Sequence, residues 1–440
     1  VAEVAKKGID WSSLWKKEDW WACWIGWLIL VLAIGAVMPH TIKYGTWAWG
    51  AWDKIFPKGM ETLWIGLVCF VFCLVVTIIG CVFMKRSIGL YVPALIAIFL
   101  LVVLAEVLAH QKTIKYWGIP YVIWAMAFGL FISNVLRVPK WLRAGVMTEY
   151  FIKIGLVCMG ATIMFSVVIK AGALGVGQAL LVVGAVWFFA YWLGRRFGLD
   201  EKFCSIIATG VSICGVSASI AAGGAVRGDP KHVSYMIAWL MVCAVVLIVV
   251  MPPIAKAMNL PTNMAGAWVG GVIDNTGSVV AAGEIIGTKA ALEAAAMVKM
   301  AQNILIGFAA FFMAIWATMT LDRVPGAVRP SFAEVWWRFP KFIVGFIVAS
   351  LIISFLVEPG MGSEAVKVIA KLCKAYRSLF FCMAFVCIGL ETNFKELVTV
   401  GGGRPAIVYW VAQIMNGFWT LGIVWILWSG WLFVPPILPD

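Results

Sequence analysis

The sequence predicts an all-α polytopic membrane protein with about eleven spanning helices and two further polar segments, broken or re-entrant. Three observations carry that prediction. The 440 residues are 63% hydrophobic and only 12% charged, about half the charged fraction of a soluble domain. Many apolar runs reach the roughly 20 residues that a helix needs to cross the hydrocarbon core. Two stretches that belong inside the bilayer by position are instead built from small and polar residues: GVSICGVSASIAAGG (Gly210–Gly224) and GGVIDNTGSVVAAGE (Gly270–Glu284).

Residues 1–19 are polar, with Lys6, Lys7, Lys16 and Lys17, and Trp11, Trp15, Trp20 and Trp21 suit an interfacial helix. The apolar run 20–39 follows at once, so it reads as a retained first span and not as a cleavable signal. Plain spans are then expected at 62–84, 88–109, 118–136, 148–172, 173–197, 232–256, 290–320, 338–357, 376–396 and 403–428, with the polar segments at 203–226 and 264–287. Each plain span is an aliphatic and aromatic run bounded by charges, and the 25 Trp suit belts at the two interfaces. The longest interruptions are Thr41–Glu61, Leu321–Trp337 and Glu358–Ala375. The last carries Lys367, Lys371 and Lys374 at the spacing of an amphipathic surface helix. His40 and His232 read as loop residues, and Glu106 and His110 as interfacial ones. The chain divides into an N-terminal extension with the first three helices (1–117), a core (118–428) and a tail (429–440).

The net charge of +13 does not point to nucleic acid, because the basic residues sit in short loops without a basic, aromatic-interleaved stripe. They follow the positive-inside pattern instead. With a cytoplasmic N-terminus in a bacterial-type inner membrane, Lys85, Arg86, Arg137, Lys140, Arg143, Arg195, Arg196, Arg323, Arg329, Arg338, Lys341, Lys395 and Arg404 all fall inside. Lys367, Lys371 and Lys374 break the series. The eleven cysteines lie mostly in apolar runs, with no CxxC and no Cys/His set at metal-ligand spacing. They read as small packing residues.

Two internal similarities suggest inverted repeats, over about 148–256 and 264–428. Phe151, Val157, Cys158, Gly160, Phe165 and Gly172 recur as Phe380, Val386, Cys387, Gly389, Phe394 and Gly401. An odd number of crossings separates them, the arrangement of many secondary transporters. The polar stretches align without gaps: Gly210, Ile213, Ala221, Ala222 and Gly223 match Gly270, Ile273, Ala281, Ala282 and Gly283. The two similarities do not fit one simple duplicated unit.

The polar stretches are where chemistry is expected. An ionisable group at the bilayer centre costs about 2.5–3.5 kcal/mol on insertion scales, and irregular backbone is tolerated there only beside protein or a cavity. In the first stretch Ser212, Ser217 and Ser219 supply hydroxyls, Cys214 a thiol, and Gly215 room for close approach. A helix broken here aims free N–H groups into the membrane, which favours an anion. Close packing through small residues is the structural alternative. In the second stretch Asp274 is followed by Asn275, Thr276 and Ser278. Asp274 can hold a proton or a sodium ion, or pair with a buried base. Lys299 shares a helix face with Gln302 and Asn303, and is expected either as Asp274's partner or as an anion's counter-charge. Glu284 reads as terminal. Glu391, Thr392 and Asn393 form a secondary cluster, or a solvated helix end.

Enzyme signals are missing: no GxSxG, HExxH, P-loop or strand-linked GxGxxG occurs. Without a Walker motif, pumping would draw on an ion gradient or on the solute's own. No cofactor is expected beyond a coupling sodium ion or proton.

At SICGVSASIAAG (Ser212–Gly223), WVGGVIDNTGSVVAAG (Trp268–Gly283), Lys299 and IGLETNF (Ile388–Phe394), the chain resembles the YeiH family of proposed sulfate exporters. The resemblance covers roughly Val122–Trp428, and the first ninety residues look like the extension of longer members. It implies an inner-membrane carrier of the bile-acid/arsenite-transporter-like type, with sulfate, sulfite or organosulfonates as substrates. Many members carry His-Glu where this chain has Asp274-Asn275, so a proton scheme built on that histidine does not carry over: a histidine titrates near neutral pH, and an aspartate ordinarily does not.

The resulting expectation is a secondary transporter that exports a small anion by alternating access. Ser212, Cys214, Gly215, Ser217, Asn275, Thr276 and Ser278 would bind the anion, and Asp274, Lys299, Gln302 and Asn303 would couple it to an ion. A sodium/proton antiporter and an anion channel are the alternatives. The expected partners are the anion and membrane lipids, with a homodimer possible and no nucleic acid.

Overall fold

The computed structural model describes residues 12–321, 333–394 and 403–433, and among them it contains helices and no strand. In chain order the helices are α1 (Ser13–Lys16), α2 (Glu18–Ile34), α3 (Met60–Phe83), α4 (Ile88–Ala109), α5 (Lys112–Tyr116), α6 (Tyr121–Phe131), α7 (Lys140–Arg143), α8 (Thr148–Gly160) and α9 (Phe165–Arg196). There follow α10 (Glu201–Ser212), α11 (Gly215–Ala225), α12 (Pro230–Ala257), α13 (Thr262–Val272), α14 (Thr276–Ile286), α15 (Lys289–Trp316), α16 (Ala333–Arg338), α17 (Lys341–Ile352), α18 (Glu358–Glu391) and α19 (Gly403–Trp428). Among the described residues, seven helical stretches are long and apolar enough to cross a membrane, beside shorter apolar ones such as Tyr121–Leu136. The all-α polytopic prediction holds.

The chain forms two compact units, interleaved along the sequence. One comprises Trp11–Val168 and Lys341–Thr392. Its interior joins α2, α8, α17 and α18 through Leu30, Ala33, Ala161, Ala349, Ile353, Ile369 and Cys373. At the start of α2 the Lys153 ammonium meets Asp19 (2.9 Å), Glu18 (3.1 Å) and Glu149 (3.6 Å), and Asp19 also accepts the Lys341 backbone N–H at 3.0 Å. Phe151 and Phe380, matching positions of the first internal similarity, bring their rings to 6.4 Å.

Two expectations are corrected in this unit. The break predicted at 172/173 lies at 161–164 instead, and α9 runs on from Phe165. Side chains of α17 and its π-turn continuation explain the shift. Ser350 donates to the Ile163 carbonyl at 2.7 Å, and Ser354 accepts from the Phe165 N–H at 2.8 Å, so the interruption is hydrogen-bonded where it occurs. The 358–375 interruption is helical, broken only at Gly362 (φ 83°), and leads straight into the rest of α18. Lys367, Lys371 and Lys374 are exposed while Ile369 and Cys373 are buried, which is the amphipathic face predicted, on a longer helix. Thr41–Glu61 is largely non-helical, and it pairs its backbone with 110–112 through Trp47.

The other unit comprises Ile169–Pro340 and Asn393–Asp440. His232, read as a loop residue, sits in the first turn of α12 and stacks on Phe203 at 4.1 Å. Each polar segment here is a helical hairpin. Lys202 Nζ reaches the Arg227 carbonyl at 3.5 Å, Ile206 touches Gly223, and a Cβ on Gly210 would lie 2.6 Å from Ser219 Oγ. These contacts step in opposite directions along α10 and α11, so the chain turns back at Ile213–Cys214. A straight path would separate positions 210 and 219 by about 13 Å.

In the second segment α13 runs alongside α15 in the same direction, Gly266 against Ala291 and Gly270 against Ala295. Gly283 of α14 also abuts Ala295, so α14 doubles back. Gly287 (φ 95°) ends it in the left-handed conformation that a glycine adopts without strain. The gapless alignment of the polar stretches extends across three helices. A shift of sixty residues takes α10, α11 and α12 onto α13, α14 and α15 to within a residue or two at each end. The first hairpin opens at the start of α12 and the second at its end. The 28 residues of α12 set those openings about 42 Å apart.

Two outcomes check this packing. Gly210→Cys with Ser219→Cys is expected to form a disulfide, read as two fewer free thiols after denaturation; a straight segment would form none. Gly270→Ala forces its Cβ to 2.6 Å from the Ala295 carbonyl oxygen and should cost about 1–3 kcal/mol. Gly172→Ala, with open space around it, should be neutral or stabilise by up to about 1 kcal/mol. Thermal unfolding in detergent measures both.

Candidate functional site

The two hairpins meet tip to tip. Gly215 N–H, opening α11, donates to the Asp274 carbonyl at 2.9 Å. Ile213 and Ile273, the C-cap residues of α10 and α13 and equivalent under the sixty-residue shift, lie where the C-terminal carbonyls of helices lack intrahelical donors. One ammonium serves both: Lys299 Nζ donates to the Ile213 and Ile273 carbonyls and, at 3.1 Å, to Gln302 Oε1. Gln302 Nε2 donates to the Gly271 carbonyl at 3.0 Å.

Two further tip carbonyls, of Val272 and Val211, are met by α19. Gln413 Nε2 donates to Val272 O at 2.7 Å, and Asn416 Nδ2 lies 3.4 Å from Val272 O and 3.5 Å from Val211 O. The Tyr409 hydroxyl donates to Asp274 Oδ2. α9 contributes Gln178, which donates to the Ala267 carbonyl at 2.8 Å and accepts from Trp428 Nε1 at 2.9 Å.

The structure therefore brings together Ser212, Cys214, Gly215, Asp274, Asn275, Thr276, Lys299, Gln302 and Asn303. Asn275 caps α14, its Oδ1 accepting from the Gly277 (2.8 Å) and Ser278 (3.3 Å) N–H groups. Asn303 Nδ2 donates to Thr276 Oγ1 at 3.1 Å, and Cys214 Sγ lies 3.8 Å from that hydroxyl. Ser278 is buried one turn behind the tip. Ser217 is exposed on α11, whose N-terminus has no side-chain cap.

Lys299 is not ion-paired with Asp274, because its three donors go to two carbonyls and an amide. Glu391 and Thr392 belong to the other unit, where the Thr392 carbonyl accepts from Ser133 (2.7 Å) and Asn134 (3.0 Å). Asn393 follows the end of α18, and Glu284 is half-buried in the last turn of α14.

Tyr409, Gln413 and Asn416 were missed among the candidate residues, although a signal existed. With Thr420, they recur every three to four residues through an otherwise apolar helix, the spacing of one polar face.

Comparison with known proteins places this arrangement. The sequence profile described as Conserved hypothetical protein 698 matches residues 93–409, which include both hairpins, Lys299 and Tyr409. The chain belongs to the YeiH/UPF0324 family of membrane proteins. An UPF0324 membrane protein of Rhodopirellula baltica is 37% identical over 396 residues, 88% of this chain and 72% of that protein. One from Nitratidesulfovibrio vulgaris is 36% identical over 79% of this chain, which spans 61% of that relative's length. The UPF0324 membrane protein of Nitrosomonas europaea is 26% identical over 97% of this chain and 98% of its own.

Lys299→Met should be strongly destabilising. It removes the ammonium from two buried carbonyls, each costing about 1–3 kcal/mol when left without a donor. Thermal unfolding of the purified variant measures the loss; unchanged stability would contradict the role given to Lys299.

Proposed function

We propose that this YeiH/UPF0324 protein is a secondary active transporter, moving a small anion across a bacterial inner membrane by alternating access. The observation that carries the reading is the meeting of two re-entrant hairpins. Their tips gather interrupted backbone, a buried carboxylate and a buried ammonium in one place. Interrupted hydrophobic segments of this kind mark the substrate and ion sites of secondary transporters.

The anion would lie at the uncapped start of α11, beside exposed Ser217, where free N–H groups and the helix dipole favour negative charge. Asp274 would carry the coupling cation. Loop charges support a cytoplasmic opening for the first hairpin, since Arg195, Arg196, Lys202, Arg227 and Lys231 cluster at that end. A sulfur oxyanion, moved outward, is the substrate that the family resemblance suggests. One observation favours a second reading, a sodium/proton antiporter: all three donors of Lys299 are occupied within the protein, which leaves its ammonium none to offer an anion.

Counterflow in proteoliposomes with sulfate, sulfite, taurine and isethionate tests the proposal. The expected result is saturable, trans-stimulated uptake of one of these anions. Asp274→Asn should lose ion-coupled flux while it still elutes as a folded protein. Non-saturating flux would mean a channel. Dissipation of a sodium or proton gradient with no anion moving would mean the antiporter.

A further inference from the structure

The hairpin tips carry an imbalance of donors and acceptors. Lys299, Gln302, Gln413, Asn416, Asn303 and Tyr409 all direct donors at tip carbonyls, at Thr276 or at Asp274 Oδ2. The atoms left without a hydrogen-bond partner include Asp274 Oδ1, Asn303 Oδ1 and Gln413 Oε1, together with the Ser212 hydroxyl. None of these four residues is more than 3% exposed. Buried oxygens with unmet lone pairs are costly, and here they belong to side chains anchored around one residue. Gln413 is held through its nitrogen at Val272 and Asn303 through its nitrogen at Thr276, two positions before and after Asp274. The orientation of Gln413 is forced, because the Val272 carbonyl can only accept.

An anion cannot satisfy this set, since it brings further acceptors. A proton on Asp274 creates one donor, which can meet one of the two amide oxygens and leaves the other orphaned. A small cation can meet all of them. Oxygen-only ligation selects a hard ion. A single carboxylate, with an ammonium close by, suits one positive charge better than two.

We propose that Asp274 Oδ1, Asn303 Oδ1 and Gln413 Oε1, with Ser212 Oγ as a further ligand, form a binding site for sodium. Its part in transport rests on the function proposed above; the site itself does not. Asp274 and Lys299 balance each other's charge, so a bound sodium ion leaves one positive charge at the tips, which a transported anion would neutralise. That is a direct physical route to coupling.

The test is thermal unfolding of the purified full-length protein in choline buffer, titrated with sodium, lithium, potassium or further choline chloride. Sodium should raise the melting temperature saturably by several degrees, and potassium and choline should not. Asp274→Asn and Gln413→Met should weaken the apparent sodium affinity by at least about tenfold, while exposed Glu364→Gln keeps it. Equal shifts with all the salts, or a sodium shift that survives intact in Asp274→Asn, would overturn the proposal. If a variant does not fold, the ion selectivity of the unmodified protein still decides. Anion counterflow without any sodium-specific stabilisation would remove the sodium site and leave the transporter. Specific stabilisation without transport of any anion would do the reverse.

Discussion

A single ammonium holds two helix ends that would otherwise repel. Each hairpin turns at the C-terminus of its first helix, where the carbonyls lack intrahelical donors and the dipole is negative. Two such ends brought together need positive charge, and no bulk water is available in a bilayer core to supply hydrogen bonds. Lys299 meets both from α15, at Ile213 and Ile273. Gln302, Gln413 and Asn416 then satisfy the neighbouring carbonyls of Gly271, Val272 and Val211. The rest of the site depends on this arrangement, because the position of Asp274 is set by where the second tip stops. A lysine committed in this way is a fixed part of the scaffold.

The scaffold is duplicated and the chemistry is not. Under the sixty-residue shift Asp274 corresponds to Cys214, Lys299 to Trp239, Gln302 to Val242 and Asn303 to Cys243. The glycines that let the hairpins close have counterparts, Gly210 with Gly270 and Gly223 with Gly283. The second copy thus supplies the charge and the amides, while the first supplies a tip whose helix start is uncapped.

Much of this was legible in the sequence, and the limits have identifiable causes. Composition and run length specified the helical membrane protein. Gly and Ser in the wrong place marked both hairpins, and Asp274 marked the tip. The duplication was visible over the polar stretches alone, because α12 and α15 share little beyond apolarity. The break before α9 was misplaced at 172/173 because the actual interruption is stabilised by Ser350 and Ser354, almost two hundred residues away. Lys299 was expected as Asp274's partner or as an anion's counter-charge, and its hold on the two hairpin tips was missed for a related reason. Its real partners are backbone carbonyls, which no side-chain pattern records. Tyr409, Gln413 and Asn416 formed a readable polar face, but a face on a long apolar helix points equally well to ordinary packing.

The choice between crossing and re-entry also left a trace in the charges. Two straight crossings and two hairpins place every later loop on the same side, so the distant loops cannot discriminate. The loops between the two segments can. If both segments crossed, Arg227 and Lys231 would lie on the side opposite Arg195, Arg196 and Lys202, and Lys256 would lie on the same side. Re-entry instead gathers all five of these residues at the mouth of the first hairpin and leaves Lys256 and Lys289 at the other end of α12. Judged by short-loop lysines and arginines, re-entry is the better solution by one residue, a margin too small to decide alone. The decision comes from packing: Gly210 against Ser219, and Gly270 and Gly283 against the same Ala295. Those contacts exist only if the chain turns back, and the turning back brings the Asp274 carbonyl to the N–H that opens α11.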